Sequence, residues 1–398
     1  MESARTQSPL FTRPFLLAAL ANLVLSIAGS LFLHLPGFFR DLGAAEAEIG
    51  RIMATAAFVA TFVGPPLGRL MDARGRRVVI LGGAVLYLVA VALYFTVDRI
   101  SPWLYALRAL EGLAGTMLYA SLFTLGADQV PAERRTEGLA IFGASGLLPI
   151  AFGSSLGDFL LAHGDYQTLF RAALALGAVG LALCLPLRDL RAPRAEAAGG
   201  SSARGMFAVA REPGLLPVWI AALAFFFAAA GVSTFFKTFV LETGLGTVGG
   251  FFSAYAVIAV SLRLFAGWLP DRIGPTRMIA PAFAFYVAGL AVLAMATSSA
   301  HVLAAGLLCG IGHGYIYPVL FSLVVSRSHP DERGAAIAAY IAIDAGAHAA
   351  AGPVLGPLIE GAGYSATYAV AAATLCVGGV LFHAVDRRAR AAGAIAAW

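Results

Sequence analysis

Gly68-Arg69-Leu70-Met71-Asp72-Ala73-Arg74-Gly75-Arg76-Arg77 sets five charged side chains in ten residues of a chain that is only 12% charged. Apolar runs lie on both sides of it. A shift of 199 residues leads to Gly267-Trp268-Leu269-Pro270-Asp271-Arg272-Ile273-Gly274, where Gly68, Asp72 and Gly75 recur as Gly267, Asp271 and Gly274. The chain has 398 residues, twice that offset, so an internal repeat is the first hypothesis to test.

Composition sets the class. Hydrophobic residues make up 60% of the chain and the mean hydropathy is +0.82, outside the range of ordinary soluble domains. Pro14 to Phe39, Val78 to Val97, Gly138 to Gly157, Pro213 to Phe236 and Gly361 to Val385 carry no Asp, Glu, Lys or Arg. Met278 to Ser326 is a further uncharged run of 49 residues, broken at Ser298-Ser299. About 20 apolar residues cross a bilayer as a helix, so that run reads as two spans joined by a turn. The expected fold is an all-α membrane protein with twelve transmembrane helices, the first at 14–39 and the last at 364–385. Met1 to Arg13 is polar and no cleavable signal is expected. Cys184, Cys309 and Cys376 all fall inside spans; they supply neither a disulfide framework nor a metal spacing and read as small packing residues.

With both termini placed in the cytoplasm, the inner segments hold twenty of the 27 basic residues, as the positive-inside rule requires. The net charge of +5 then faces anionic lipid, and no nucleic-acid partner is implied. Residues 188–213 are polar and rich in Gly, Ser and Ala, a cytoplasmic tether between an N-terminal six-helix half at 1–187 and a C-terminal half at 214–398. The 199-residue offset also pairs Gly115 with Gly314, Glu133 with Glu332, Gly153 with Gly352 and Gly157 with Gly356. An offset that spans an even number of helices keeps orientation, which makes the repeats parallel about an axis along the membrane normal.

These residues carry a family resemblance. Gly68-x3-Asp72-x2-Gly75-Arg76-Arg77 after the second span resembles the signature loop of the major facilitator superfamily, and Arg108-x2-Glu111-Gly112-x2-Gly115 in the fourth span is similar to its second signature. Ala73 departs from the basic residue usual after the Asp. The exporter signature of the fifth span is degraded to Leu148-Pro149 and Phe152-Gly153, whereas Gly352-Pro353-x2-Gly356 stands in the eleventh. The resemblance implies two pseudo-symmetric six-helix bundles around a central cavity that opens to each side in turn, and leaves the subfamily open.

Charges inside spans are expensive and mark candidate chemistry. Arg108 and Glu111 are three residues apart on one helix face, either a mutually satisfied structural pair or, as the resemblance implies for this Arg, part of the proton-coupling site. Asp344 and His348 share a face of the eleventh span, where a desolvated carboxyl beside a titratable imidazole could carry a proton; plain helix–helix hydrogen bonding is the alternative. Asn22, Ser26, Ser30 and His34 recur every four residues and predict a polar cavity lining. His313 and Tyr317, in a glycine-rich stretch, and Lys237, the only lysine, complete the predicted substrate cavity; Lys237 could equally snorkel to the outer headgroups, and Arg263 is expected to reach the inner surface. The gating loop comprises Gly68, Asp72, Gly75, Arg76 and Arg77 with Asp271 and Arg272, a latch between the halves set against the plain topological role of basic inner loops.

No nucleotide-binding Gly-rich loop and no metal-ligand spacing is present in the sequence, so neither enzyme chemistry, metal nor cofactor is expected. The expected function is secondary active transport: proton-coupled export of a small amphipathic organic compound or drug by a monomer in the cell inner membrane. Proton-coupled uptake of a sugar or small organic acid is the alternative within the class. A lipid-handling or receptor-like membrane protein on the same scaffold is the alternative outside it. The expected partners are a small-molecule substrate, the proton and membrane lipids.

Overall fold

The computed structural model describes residues 11–131, 134–189 and 205–395. Glu133 and most of the expected tether, residues 190–204, lie outside them. In chain order the helices are α1 (Arg13–Ser30), α2 (Leu35–Asp41), α3 (Glu46–Arg74), α4 (Arg76–Leu93), α5 (Pro102–Asp128), α6 (Arg135–His163), α7 (Tyr166–Cys184), α8 (Met206–Val209), α9 (Leu216–Thr243), α10 (Val248–Phe265), α11 (Leu269–Ile273), α12 (Pro275–Ala294), α13 (Ser299–Arg327) and α14 (Arg333–Ala391). A 3₁₀ turn at Leu31–His34 joins α1 to α2 in one stretch of 29 residues. Gly363, at φ 81° and ψ 173°, breaks α14 into two rods.

Ten stretches are long and apolar enough to cross a membrane, α14 counting once among them. Its division at Gly363, and α5 with the charges of Arg108 and Glu111, bring the described helices to twelve long rods. Phe58, Phe62, Val85, Leu223, Val377 and Val380 stand exposed on these rods. An apolar surface of that extent suits lipid, and the chain is a multi-pass membrane protein. Cys184 and Cys309 are buried as packing residues, whereas Cys376 lies exposed on α14.

Turn chemistry explains where the rods begin. The Asp165 carboxylate accepts from the Thr168 amide at 2.8 Å at the start of α7, and the Thr247 hydroxyl from the Gly250 amide at 2.9 Å at the start of α10. The two copies of the charged loop share one backbone solution. Gly75 sits at φ 88° between α3 and α4, and Gly274 at φ 98° between α11 and α12. Side chains with a Cβ rarely adopt that conformation, which accounts for glycine at both positions of the repeat.

Two packing groups follow. α1 packs on α5, α6 and α7, and α4 on α5 and α7; in the second group α9 and α12 pack on α14, and α10 and α12 on α13. The groups meet chiefly where α3 crosses α14 and where α6 crosses α10. Glycine makes both crossings close. A Cβ on Gly352 would lie 2.1 Å from the Gly50 carbonyl oxygen, and one on Gly249 would lie 2.6 Å from Ser155 Cα. Gly50 and Gly249 are again 199 residues apart. The repeat read from the charged loop therefore extends to the backbone contacts between the groups.

Candidate functional site

The loops at 42–45, 97–101, 163–165, 244–247 and 295–298 lie at the face away from the ends of the described chain, called the distal face below. A polar lattice joins the two groups there. Arg40 donates to the Thr238 carbonyl at 3.0 Å and pairs with Glu242. Glu46 accepts from Thr238 at 3.0 Å and from the Tyr364 hydroxyl at 2.7 Å. Two carboxylates cap helices of the opposite group: Glu360 takes the Ala47 amide of α3 at 2.7 Å, and Asp158 takes the Gly249 amide of α10 at 2.5 Å. Free amides and the helix dipole make a helix start a natural seat for a carboxylate. Ser155 and Ser253 add a hydroxyl pair at 2.9 Å, and Ser253 also donates to the Ala151 carbonyl at 3.4 Å. All of these bonds between the groups lie in the distal half.

Lys237 belongs to this lattice. It is buried beside Gly37 and feels the charges of Asp158 and Asp41. His34 is buried next to it, with Nε2 3.0 Å from the Ser154 carbonyl oxygen and Nδ1 3.8 Å from Asp158. The rest of the polar stripe on α1 also turns toward α6 or toward its own helix. Asn22 is buried and donates to the Ser145 hydroxyl at 2.9 Å, and Ser30 donates to the Ser26 carbonyl at 2.7 Å. A period of four defines a face of a helix, and α6 occupies this one.

Deeper in, Arg108 is buried and its guanidinium lies 2.6 Å from Glu111, which also accepts from the Tyr94 hydroxyl at 2.8 Å. The charge is thereby satisfied inside the first group, as a buried ion pair requires.

In the second group, His348 Nδ1 lies 3.0 Å from the Asp344 carboxylate, and both side chains are about one-third exposed (37% and 36%). Tyr340, Asp344 and His348 follow one another at four-residue steps on one face of α14. The Tyr340 ring stands 5.7 Å from Tyr317 and 5.3 Å from Phe226. Tyr317 is 6.0 Å from His313, and His313 is hydrogen-bonded to the Tyr255 hydroxyl. From the first group, Tyr119 on α5 completes the wall, 57% exposed though mid-helix. Asp344 and Arg263 both act on the hydroxyls of Tyr119, Tyr317 and Tyr340, which places one carboxylate and one guanidinium around the same tyrosines. A separate groove of about 200 Å³ between α3 and α14, lined by Arg51, Phe58 and Pro353 among others, shares none of these residues.

The sequence reading missed Tyr119, Tyr255 and Tyr340, and sent Arg263 to the inner surface. Its Nε instead donates to the Gly314 carbonyl at 3.4 Å. The glycines Gly310 and Gly314 bring the backbones of α13 and α10 together, and Arg263 reaches the Gly314 carbonyl, which has no amide partner in α13 because Pro318 stands four residues on. Stepping four residues back from Asp344, or four on from Gly115, would have reached Tyr340 and Tyr119.

The charged loop lies at the other end of the bundle and is held within its own group. Asp189 accepts from the Arg76 and Arg77 amides at 2.8 and 3.1 Å, capping α4. Arg76 lies 3.3 Å from Asp128, and Arg77 donates to the Leu187 carbonyl at 2.7 Å. Asp189, not Asp72, thus caps α4. Asp72 is 64% exposed and, among the described residues, reaches only Arg76 at the start of α4, at 4.0 Å. Asp271 is exposed on α11, Arg272 lies 5.9 Å from the Trp268 ring, and a Cβ on Gly68 would meet nothing within 4 Å.

The family model described as the Major Facilitator Superfamily matches residues 15–350. The chain belongs to the Major Facilitator Superfamily. It is 24% identical over 371 residues to an uncharacterized MFS-type transporter, YhhS, of Salmonella enteritidis, covering 89% of this chain and 87% of that one. It is 29% identical over 183 residues to the multidrug resistance protein MdtL of Klebsiella pneumoniae, 44% of this chain and 46% of the other. Among solved structures, the nucleoside transporter NupG superposes with a TM-score of 0.77 at 13% identity, covering 94% of this chain and 99% of that one. At that identity the likeness speaks for the fold alone. Transport of a small molecule across a membrane follows from membership of the superfamily; substrate and driving ion do not.

Proposed function

We propose that this chain is a proton-driven exporter of small amphipathic organic compounds. The observation that carries the reading is the Asp344–His348 pair, about one-third exposed beside a tyrosine wall built from both helix groups while the distal face is tied shut. A carboxyl in low dielectric next to an imidazole can take and release one proton in a space that also holds the substrate. On this reading the distal face is external, the termini are cytoplasmic, and the cavity stands ready to load from inside. Alternating access then requires the distal lattice to break and the charged loops to close, with Asp72 as the latch of the externally open state. Arg108 and Glu111 support the coupling site from the first group. The partial likeness to a multidrug resistance protein favours export over uptake.

The test is made in proteoliposomes of defined orientation, with an internal pH dye. A substrate gradient directed outward through the protein is expected to drive protons inward, and Asp344→Asn to abolish that movement. Protons and substrate travelling the same way would refute antiport and favour proton-coupled uptake.

A further inference from the structure

Beside the tyrosine wall, Arg263 and Asp344 each hold a buried charged atom that makes no hydrogen bond among the described residues. Arg263 enters from α10, on one helical face with Tyr255 and Ala259. Its Nε makes the long 3.4 Å bond to Gly314, and its Nη2 is buried with no hydrogen-bond partner. Among the described residues no carboxylate lies within ion-pair distance of it. Asp344, which shares its tyrosine neighbours, lies 3.0 Å from His348, yet its Oδ1 makes no hydrogen bond among the described residues. Buried donors of this kind are ordinarily satisfied, and a guanidinium presents several in a fixed fork. Around it stand aromatic faces: Tyr255 against His313 at 5.3 Å, His313 against Tyr317, and Tyr317 against Tyr340, with Tyr119 opposite.

We infer that Arg263 is the anchor for an anionic group of the substrate, and that the transported compounds are organic monoanions with a flat apolar body. A carboxylate or sulfonate would take the open donors of the fork in a charge-assisted pair. The ring would lie against the tyrosines, whose offset and edge contacts suit an aromatic guest. A single guanidinium, with the Asp344 carboxylate beside the same tyrosines, disfavours a second negative charge on the substrate. Export of such an anion runs with an inside-negative membrane potential, so the charge preference agrees with the direction proposed above. The inference rests on that transport reading but concerns the substrate class alone.

The test uses three probes of matched shape, naphthoate, naphthalenemethanol and naphthylmethylammonium, titrated calorimetrically into the purified full-length protein. The anion is expected to bind about tenfold or more tightly than the alcohol, with the cation weakest. Arg263→Gln is expected to remove the preference for the anion over the alcohol, and Arg263→Lys to keep part of it. Should Arg263→Gln lose the alcohol as well, Arg263→Lys decides: a retained preference supports the anchor and a lost one overturns it. Equal binding of anion and alcohol by the native protein, no binding of naphthoate, or an anion preference that survives in Arg263→Gln overturns the inference. Binding is read at equilibrium without a gradient, so this result stands apart from whether protons move with substrate.

Discussion

Gly352→Ala tests whether the distal closure rests on bare backbone at the α3–α14 crossing. The added Cβ would stand 2.1 Å from the Gly50 carbonyl oxygen and 2.8 Å from its carbonyl carbon. Ordinary contact begins near 3.4 Å, so the rods must part by the difference, about 1.3 Å. Neither atom is the end of a flexible side chain, so the backbone itself must move. Three hydrogen bonds flank the crossing: Glu360 with Ala47 at 2.7 Å, Tyr364 with Glu46 at 2.7 Å and Thr238 with Glu46 at 3.0 Å. Stretched by that amount, each exceeds hydrogen-bonding distance. At about 0.5–1.5 kcal/mol net apiece, their loss costs the closed state about 3 kcal/mol, a shift of about a hundredfold toward the distally open state. Spin labels on cysteines placed at Ala45 and Ala362, both flanking this crossing, read the distance between the groups once Cys376 is changed to Ser. The variant is expected to move most of the population to a longer separation. A distance distribution identical to that of the native protein would refute the reasoning, because the crossing would then tolerate a methyl group without opening.

Other expectations address separate parts of the molecule. Arg108→Met leaves Glu111 buried without its partner and is expected to lower stability by about 3–5 kcal/mol; in detergent thermal melts the double variant Arg108→Met, Glu111→Leu should recover part of that, and equal losses would count against a paired role. Asp72→Asn is expected to slow transport while membrane insertion and melting temperature stay unchanged, since the largely exposed Asp72 makes only a 4.0 Å contact with Arg76 among the described residues; unaltered transport kinetics would remove the latch. Gly75→Ala places a side chain at φ 88° with its Cβ against Asp189, so stability in a thermal melt should fall by about 1–3 kcal/mol; an unchanged melt would mean that the turn relaxes.

Much of the architecture was legible without coordinates, and for a physical reason. A bilayer imposes a length and a polarity on each segment, and a duplicated half imposes one offset on every special backbone position. Gly68–Arg77 and its copy therefore revealed the repeat, and Gly75 and Gly274 do adopt matching positive-φ conformations. The i, i+3 and i, i+4 spacings likewise brought Arg108 to Glu111 and Asp344 to His348, because a single helix fixes those distances.

What a face of a helix meets is decided elsewhere in the chain. Asn22 and His34 share one face of the first span as expected, yet α6 covers it, which no spacing within α1 could disclose. Lys237 is the only lysine in the sequence, and only the approach of α6 and α2 makes it part of a distal lattice. Arg263 owes its place to Gly314 and Pro318 of α13, about fifty residues away in the chain. The sequence by itself determined the all-helical class, the internal repeat and which charges share a turn. The tertiary structure alone decided which of those charges meet across helices. Pairing within a helix is set by local geometry, whereas contact between helices depends on the packing of side chains distant in sequence.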